Sequence, residues 1–263
     1  MSTLYYTVTD SATMLRRSLR HMLRYPSMTL LVIGTPVILL LLFTYVFGAT
    51  LGAGIGALSG GRTAYVNYVA PGIILLTVAM AAQGTAISVA MDTTEGIIAR
   101  FRTMAISRAS VLTGHVLGWM IQTMLSLAVV IGVALLMGFR PSAGPFAWIA
   151  AIGLLAMVTF ALIWLSVALG LVSKSVETAS NLPMFLMLLP FLGSGFVPTG
   201  SMPAVVRYFA EFQPFTPVIE TLRGLLMGTP IGNSAILAVA WCAAITLVGY
   251  VWARALFNRD PAQ

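Results

Sequence analysis

Charge is what this chain has least of. Only 8% of its 263 residues are Asp, Glu, Lys or Arg, against about 25% in a soluble domain. Hydrophobic residues make up 59%. A soluble fold this apolar would expose large greasy patches and aggregate, so the composition places the chain in a membrane. The single cysteine, Cys242, excludes an internal disulfide and a thiolate metal site, and its apolar surroundings mark it as a small packing residue. With only two histidines, His21 and His115, no HExxH zinc motif exists. His21 belongs to a basic face and His115 to a polar helix entrance. No GxSxG nucleophile elbow occurs. The one lysine, Lys174, follows Ser173 rather than glycine, so there is no Walker A loop, and this chain cannot hydrolyse ATP by that route. No catalytic residue, metal site or cofactor is expected on it.

What the chain does have is long apolar runs. A hydrocarbon core about 30 Å thick needs about 20 apolar residues in a helix. Six segments come close to or exceed that length, at residues 28–48, 68–91, 109–139, 146–172, 181–197 and 234–255. The fold class expected is therefore an all-α integral membrane protein with six transmembrane helices, forming one transmembrane domain over residues 1–263. The first apolar run follows an arginine-rich segment and is longer than the 7–15 residues of a signal core, which predicts no cleavable signal peptide. The fifth segment, NLPMFLMLLPFLGSGFVPTG, carries Pro183, Pro190 and Pro198 with Gly193 and Gly195 between them. It is expected to kink or break, with neighbouring helices satisfying the freed backbone.

The net charge of +7 is topological rather than a sign of nucleic acid, because the basic residues lie between apolar runs and form no basic stripe with aromatics. Ten of the fourteen fall on one side: Arg16, Arg17, Arg20, Arg24, Arg100, Arg102, Arg108, Lys174, Arg254 and Arg259. Arg62, Arg140, Arg207 and Arg223 fall on the other. The positive-inside rule then puts both termini in the cytoplasm, where basic residues meet anionic headgroups.

Three amphipathic stretches flank the spans. At residues 9–25, Leu15, Leu19, Met22 and Leu23 share one helical face, and Arg16, Arg20 and Arg24 another, between Asp10 and Pro26. This reads as a helix lying in the inner interface, or as a solvated flank of the first span. At residues 203–228, two short pieces read as external re-entrant or interfacial helices. In the first, Val205, Val206, Phe209 and Phe212 share a face, and Arg207 and Glu211 make an i,i+4 pair. In the second, Thr216 is placed as N-cap, with Pro217 first in the helix. Val218, Ile219, Leu222, Leu225 and Leu226 form its stripe, Glu220 can reach Arg223, and Gly228 suits the stop.

The third stretch, DTTEGIIARFRTMAISR at residues 92–108, joins the second and third spans. Asp92 and Glu95 fit a capping box. Ile97, Ile98, Phe101, Met104 and Ala105 then form one apolar face, with Arg100 and Thr103 on one flank and Glu95 and Arg102 on the other. A cytoplasmic helix of this kind either anchors the loop in headgroups or docks into a partner. A second charged motif, LSGGR at Leu58–Arg62, imitates the signature of cassette ATPases, but no nucleotide fold surrounds it, so it reads as a turn. Gly48, Gly52, Gly56 and Gly60 recur every four residues, as in close helix packing or a plain flexible loop.

The segment EGIIARFRTMAISRASVLTGHVLG resembles the coupling loop of ABC-2 type transporter permeases, particularly the daunorubicin-resistance type of bacterial drug exporter. Glu95, Gly96, Arg100, Phe101, Arg102, Ser107, Arg108 and Gly114 match its pattern, and Ala105 stands where a proline is usual. FVPTGSMPAVVRYFAEFQPFTPVIETLRGLLMG resembles the family's second motif through Pro198, Met202, Pro203, Pro214, Thr216, Glu220, Arg223, Gly224, Leu225 and Gly228, with Gln213 in place of the commoner Asn. Six spans in matching positions extend the resemblance over nearly the whole chain.

The resemblance implies a permease subunit in a bacterial plasma membrane. It would pair with a second permease chain, as a homodimer or a paralogous heterodimer. Two copies of a cytoplasmic ATPase subunit would bind the ATP and Mg. Glu95, Gly96, Arg100, Phe101, Arg102 and Arg108 would couple to that ATPase. Pro214, Glu220, Arg223 and Gly224 would form a structural motif of the external helices. The cargo would be amphipathic drugs or lipid-like molecules. The alternative is a proton- or ion-coupled secondary carrier. Such carriers place acids or histidines in mid-membrane relays, and here no charged residue falls in the middle of an expected span. No internal repeat of the kind that marks many such carriers is evident either.

Overall fold

The computed structural model describes residues 26–48, 61–96 and 108–258, with side chains at 33–48, 63–96 and 116–257. Every regular element among them is helical. These are α1 (Pro26–Tyr45), α2 (Gly61–Thr94), α3 (Arg108–Leu136), α4 (Pro145–Val172), α5 (Val176–Asn181), α6 (Met184–Leu188), α7 (Ala204–Phe212), α8 (Phe215–Met227) and α9 (Ser234–Asn258), with a 3-10 turn at Thr199–Ser201. Among the described residues, four helices are long and apolar enough to cross a membrane: α2, α3, α4 and α9. The expected interfacial helix at 9–25 lies outside the described residues, as does the LSGGR stretch up to residue 60.

Helix α2 is the centre of the bundle. It is buried almost all round from Tyr65 to Ala82, as a helix apolar on every face must be. At 34 residues it is about 51 Å long, well beyond the hydrocarbon core. Several buried hydroxyls along the bundle return to carbonyls one turn back, as Thr77 Oγ1 to Ile73 O, Thr85 Oγ1 to Ala81 O and Ser126 Oγ to Gln122 O do at 2.9 Å, whereas Thr44, Thr159 and Ser166 have no such partner among the described residues. The returning bond satisfies the polar group without a partner outside the helix.

Helix α4 packs between α2 and α9, and small residues set the spacing. A Cβ at Gly249 would stand 2.6 Å from the Leu165 amide nitrogen, and one at Gly170 would stand 2.7 Å from Ala86 O. Beside these close approaches, Trp164 meets Tyr250 edge-on at 5.0 Å. Val89, Val116, Ile163, Val167, Ala253 and Phe257 form a cluster where α2 and α9 end and α3 begins. The larger core lies toward the start of α2 and includes Tyr65, Ile73, Leu162, Ile219 and Leu222.

The segment expected as a fifth span, 181–197, is not a continuous helix. Helix α5 stops at Asn181, α6 runs only five residues, and turns follow to Val197. Pro183 and Pro190 each withdraw an amide donor and obstruct the preceding turn, so two helical pieces and a loop replace one rod. The pieces still advance along α2. Gln83 Nε2 donates to Ser180 O at 2.7 Å, and Tyr68 OH donates to Ser194 O at 3.1 Å. Those two α2 residues are about 22 Å apart along the helix axis. Aromatic contacts close the far side: Phe191 stacks on Phe196 at 4.4 Å, and Phe43 of α1 meets Phe196 at 4.7 Å.

Gly249→Val forces a branched side chain into the α4 backbone and is expected to destabilise the bundle by about 1–3 kcal/mol. Gly153→Ala, where a Cβ meets nothing within 4 Å, is expected to stay within about 0.5 kcal/mol of the parent. Thermal unfolding of both variants in detergent checks the contrast.

Candidate functional site

The two groups of residues singled out by sequence lie at opposite ends of α2. At its C-terminal end, Asp92 is not an N-cap. The helix runs on through Thr94, so Asp92 sits in its last turn. Thr93 Oγ1 returns to Val89 O at 2.7 Å and Thr94 Oγ1 to Met91 O at 3.1 Å. Gly96, at φ 71°, then takes the left-handed conformation that ends helices, with its amide on Thr93 O. The D-x-x-E spacing resembles a capping box but here straddles a helix stop. Glu95 is exposed just beyond α2, at the negative end of its dipole. Arg100, Phe101 and Arg102 lie outside the described residues, and Arg108 is described only as the first backbone position of α3. On the same end, Ser175 caps α5, its Oγ accepting from Thr178 N at 3.2 Å. A backbone amide hydrogen bond, helped by the Ser175 hydroxyl, holds the exposed Glu177 carboxyl below the usual carboxylate range.

At the other end, Pro214, Glu220, Arg223 and Gly224 come together with residues the sequence did not single out. Helix α8 starts two residues earlier than expected. Pro214, already helical at φ −61° and ψ −29°, is the N-cap, and Thr216 lies in the first turn. The Thr216 hydroxyl is thereby free to accept from Gln213 Nε2 at 3.1 Å and from Ser194 N at 3.4 Å. Gln213 Nε2 also donates to Leu189 O at 2.9 Å. The expected stripe of Val218, Ile219, Leu222, Leu225 and Leu226 faces the core. Gly228, at φ 72°, ends the helix with its amide on Gly224 O at 2.9 Å. Gly224 lies close under Ile231 and Thr229, so a side chain there would collide with the chain leaving α8.

Glu220 and Arg223 do not bond to each other. Arg223 Nη2 donates to Ser194 O at 2.7 Å and to Tyr68 O at 3.3 Å, and its guanidinium carbon lies 4.1 Å from the Tyr68 ring centroid. Glu220 instead accepts from Ser234 Oγ, at the start of α9, at 3.2 Å. The guanidinium is thus held by two carbonyl oxygens and an aromatic face rather than by the carboxylate one turn back. Burial lowers the Arg223 pKa from the ordinary guanidinium value, while Tyr68 and Glu220 pull it back up, and a guanidinium stays charged throughout. Beneath this cation, Gly72 and Gly195 touch backbone to backbone: a Cβ on Gly72 would stand 2.5 Å from Gly195 O.

Tyr68 was missed by sequence reasoning because a tyrosine at the start of an apolar run carries no signal of its own. Its neighbour Asn67, whose Oδ1 accepts from Arg140 N at 3.0 Å, shows that this turn of α2 is where surrounding loops attach. The pair that did follow from spacing is Arg207 and Glu211 on α7, bonded at 2.8 Å and exposed. On that helix Val205, Tyr208, Phe209 and Phe212 are exposed as well.

A bundle of apolar helices without charged groups in mid-span, bound at one end by a half-buried arginine, is a membrane-embedded protein. The profile described as ABC-2 type transporter matches residues 10–227, and the chain belongs to that family. Among relatives, the daunorubicin resistance ABC transporter permease protein DrrB1 of Streptomyces coeruleorubidus is 28% identical over 223 residues, covering 84% of this chain and 76% of that protein. The probable doxorubicin resistance ABC transporter permease protein DrrC of Mycobacterium tuberculosis is 29% identical over 171 residues, covering 62% of this chain and 59% of that protein.

Arg223→Ala leaves the Ser194 and Tyr68 carbonyls without their cation and is expected to cost about 2–3 kcal/mol of stability. Arg207→Ala removes an exposed pair and is expected to cost under about 0.5 kcal/mol. Thermal denaturation of the purified variants measures both.

Proposed function

We infer that this chain is the transmembrane permease subunit of an ATP-driven exporter that moves amphipathic drugs or lipid-like molecules out of the cytoplasm or inner leaflet. The observation that carries this reading is the family match over residues 10–227, reinforced by relatives named for daunorubicin and doxorubicin resistance. In this reading the chain crosses a bacterial plasma membrane six times, with α1 as the first crossing and the broken α5–α6 segment as the fifth. Both termini and the α2–α3 connection are cytoplasmic. The Tyr68–Arg223 cluster is external. A second permease chain, identical or paralogous, completes the pathway.

Energy enters through two copies of an ATPase subunit that bind ATP and Mg. Those subunits grip the α2–α3 connection. Glu95 and Gly96 open that connection, Arg100, Phe101 and Arg102 supply its charged and aromatic contacts, and Arg108 begins the next span. Because Glu95 follows directly on α2, force applied there acts on the helix that runs through the core to Tyr68. An interfacial charge pair fixes register more than affinity, so its loss uncouples rather than dissociates.

Co-expression with a candidate ATPase tests the assignment. An ATPase that co-purifies, together with ATP-dependent daunorubicin export from inverted vesicles, is the expected result; transport in liposomes holding this chain alone would overturn it. Glu95→Ala and Arg102→Ala are each expected to insert normally and to keep most ATP hydrolysis while export falls about tenfold or more, since one interfacial pair is worth about 1.5 kcal/mol or more. Unchanged export in both variants would remove these residues from the coupling role.

A further inference from the structure

Glu220 and Arg223 are three residues apart on α8, a spacing that puts opposite charges within reach of each other on one helix face. Yet Arg223 is bound to Ser194 O and Tyr68 O, and Glu220 to Ser234 Oγ. Arg223 Nε, moreover, is buried with no acceptor among the described residues. A buried cationic donor left without an acceptor carries a desolvation penalty. The present arrangement therefore does not use all that the guanidinium can offer, and an acid stands one turn away.

Ser194 O is the hub of the opposite side. It accepts from both Arg223 Nη2 and Tyr68 OH. The adjoining contact is Gly72 on Gly195, backbone against backbone with no side chains between. Backbones this close pack well on their own, and the polar ties are added at Ser194: its O accepts from Tyr68 OH on α2 and from Arg223 Nη2 on α8, and its amide donates to Thr216 Oγ1.

We propose that Tyr68, Ser194 and Arg223 form a latch that keeps this loop closed on α2, and that the latch opens when Arg223 exchanges Ser194 O for the Glu220 carboxylate. Tyr68 is a positioning residue: its ring and hydroxyl hold the guanidinium and the loop carbonyl in the closed arrangement. Exchange keeps Arg223 on an oxygen in both states, which makes the element bistable rather than merely breakable. The use of this motion, an outer exit that opens during export, rests on the permease reading above; the latch itself rests on the hydrogen bonds.

The single cysteine makes the test direct. Cys242→Ala removes the only thiol in the sequence, and Ser194→Cys replaces a buried hydroxyl that has no hydrogen-bond partner among the described residues. Cells carrying this double variant with its ATPase are treated with a membrane-impermeant maleimide, and the labelling rate is read with and without ATP turnover. Labelling is expected to be slow at rest and faster during turnover. Tyr68→Leu is expected to raise the resting rate about tenfold or more, through loss of a hydrogen bond and a cation–π contact, with Tyr68→Phe between it and the parent. Glu220→Gln, which keeps the shape and removes the charge, is expected to abolish the acceleration during turnover. Resting rates in both Tyr68 variants equal to the parent's would overturn the latch; should Tyr68→Leu fail to insert, Tyr68→Phe alone decides. Full acceleration in Glu220→Gln would overturn the exchange. A parent rate indifferent to ATP, with Tyr68→Phe still fast at rest, would overturn the coupling to export and support the latch alone.

Discussion

The bond from Arg223 to Ser194 O solves the hardest problem this chain sets itself. A backbone carbonyl away from water must find a donor inside the protein. The segment after Asn181 carries prolines that prevent a continuous helix from supplying those donors. Side chains supply them instead: Gln213 serves Leu189 O, and Arg223 with Tyr68 serves Ser194 O. All three donors stand on or beside α8 and α2. The broken segment therefore owes its shape to its neighbours, and α8 is held in turn by the segment it supports.

That dependence accounts for what was legible in the sequence and what was not. The apolar helices followed from run length, because the hydrocarbon thickness fixes a minimum and α2, α3, α4 and α9 exceed it. The stripe of α8 and the Arg207–Glu211 pair followed from helical spacing alone. The break after Asn181 followed from proline. Partner choice did not follow. Glu220 and Arg223 have a spacing fit for a pair, but which oxygen a guanidinium takes depends on what folds against it from 29 residues earlier in the chain. Asp92 and Glu95 misled for a related reason. A cap pattern shows that a helix ends nearby, and only the three-dimensional run of α2 shows that it ends there rather than begins.

The two ends of the molecule are joined by one element. Helix α2 carries Tyr68 near its start, Gln83 in its middle and Glu95 just past its finish. Each of the first two binds a carbonyl of the broken segment, so that segment is fastened to α2 at two heights rather than hanging from its ends. A displacement of α2 along its axis is thereby shared with the loop at 193–195. Helix α4, wedged against α2 through Gly170 and against α9 through Gly249, leaves less room for sliding on the opposite side.

The length of α2 has a consequence for the lipid. Enclosed by protein, a helix of 34 residues meets few acyl chains, so its excess over the bilayer creates little hydrophobic mismatch. Among the described spans the one with the least protein cover is α9, whose outward residues, from Ile236 to Val251, are largely uncovered. Its apolar stretch of 24 residues is close to the span of an ordinary membrane. Bilayer thickness therefore acts on the protein through its thinnest-clad helix, and the oversized central rod is shielded from it.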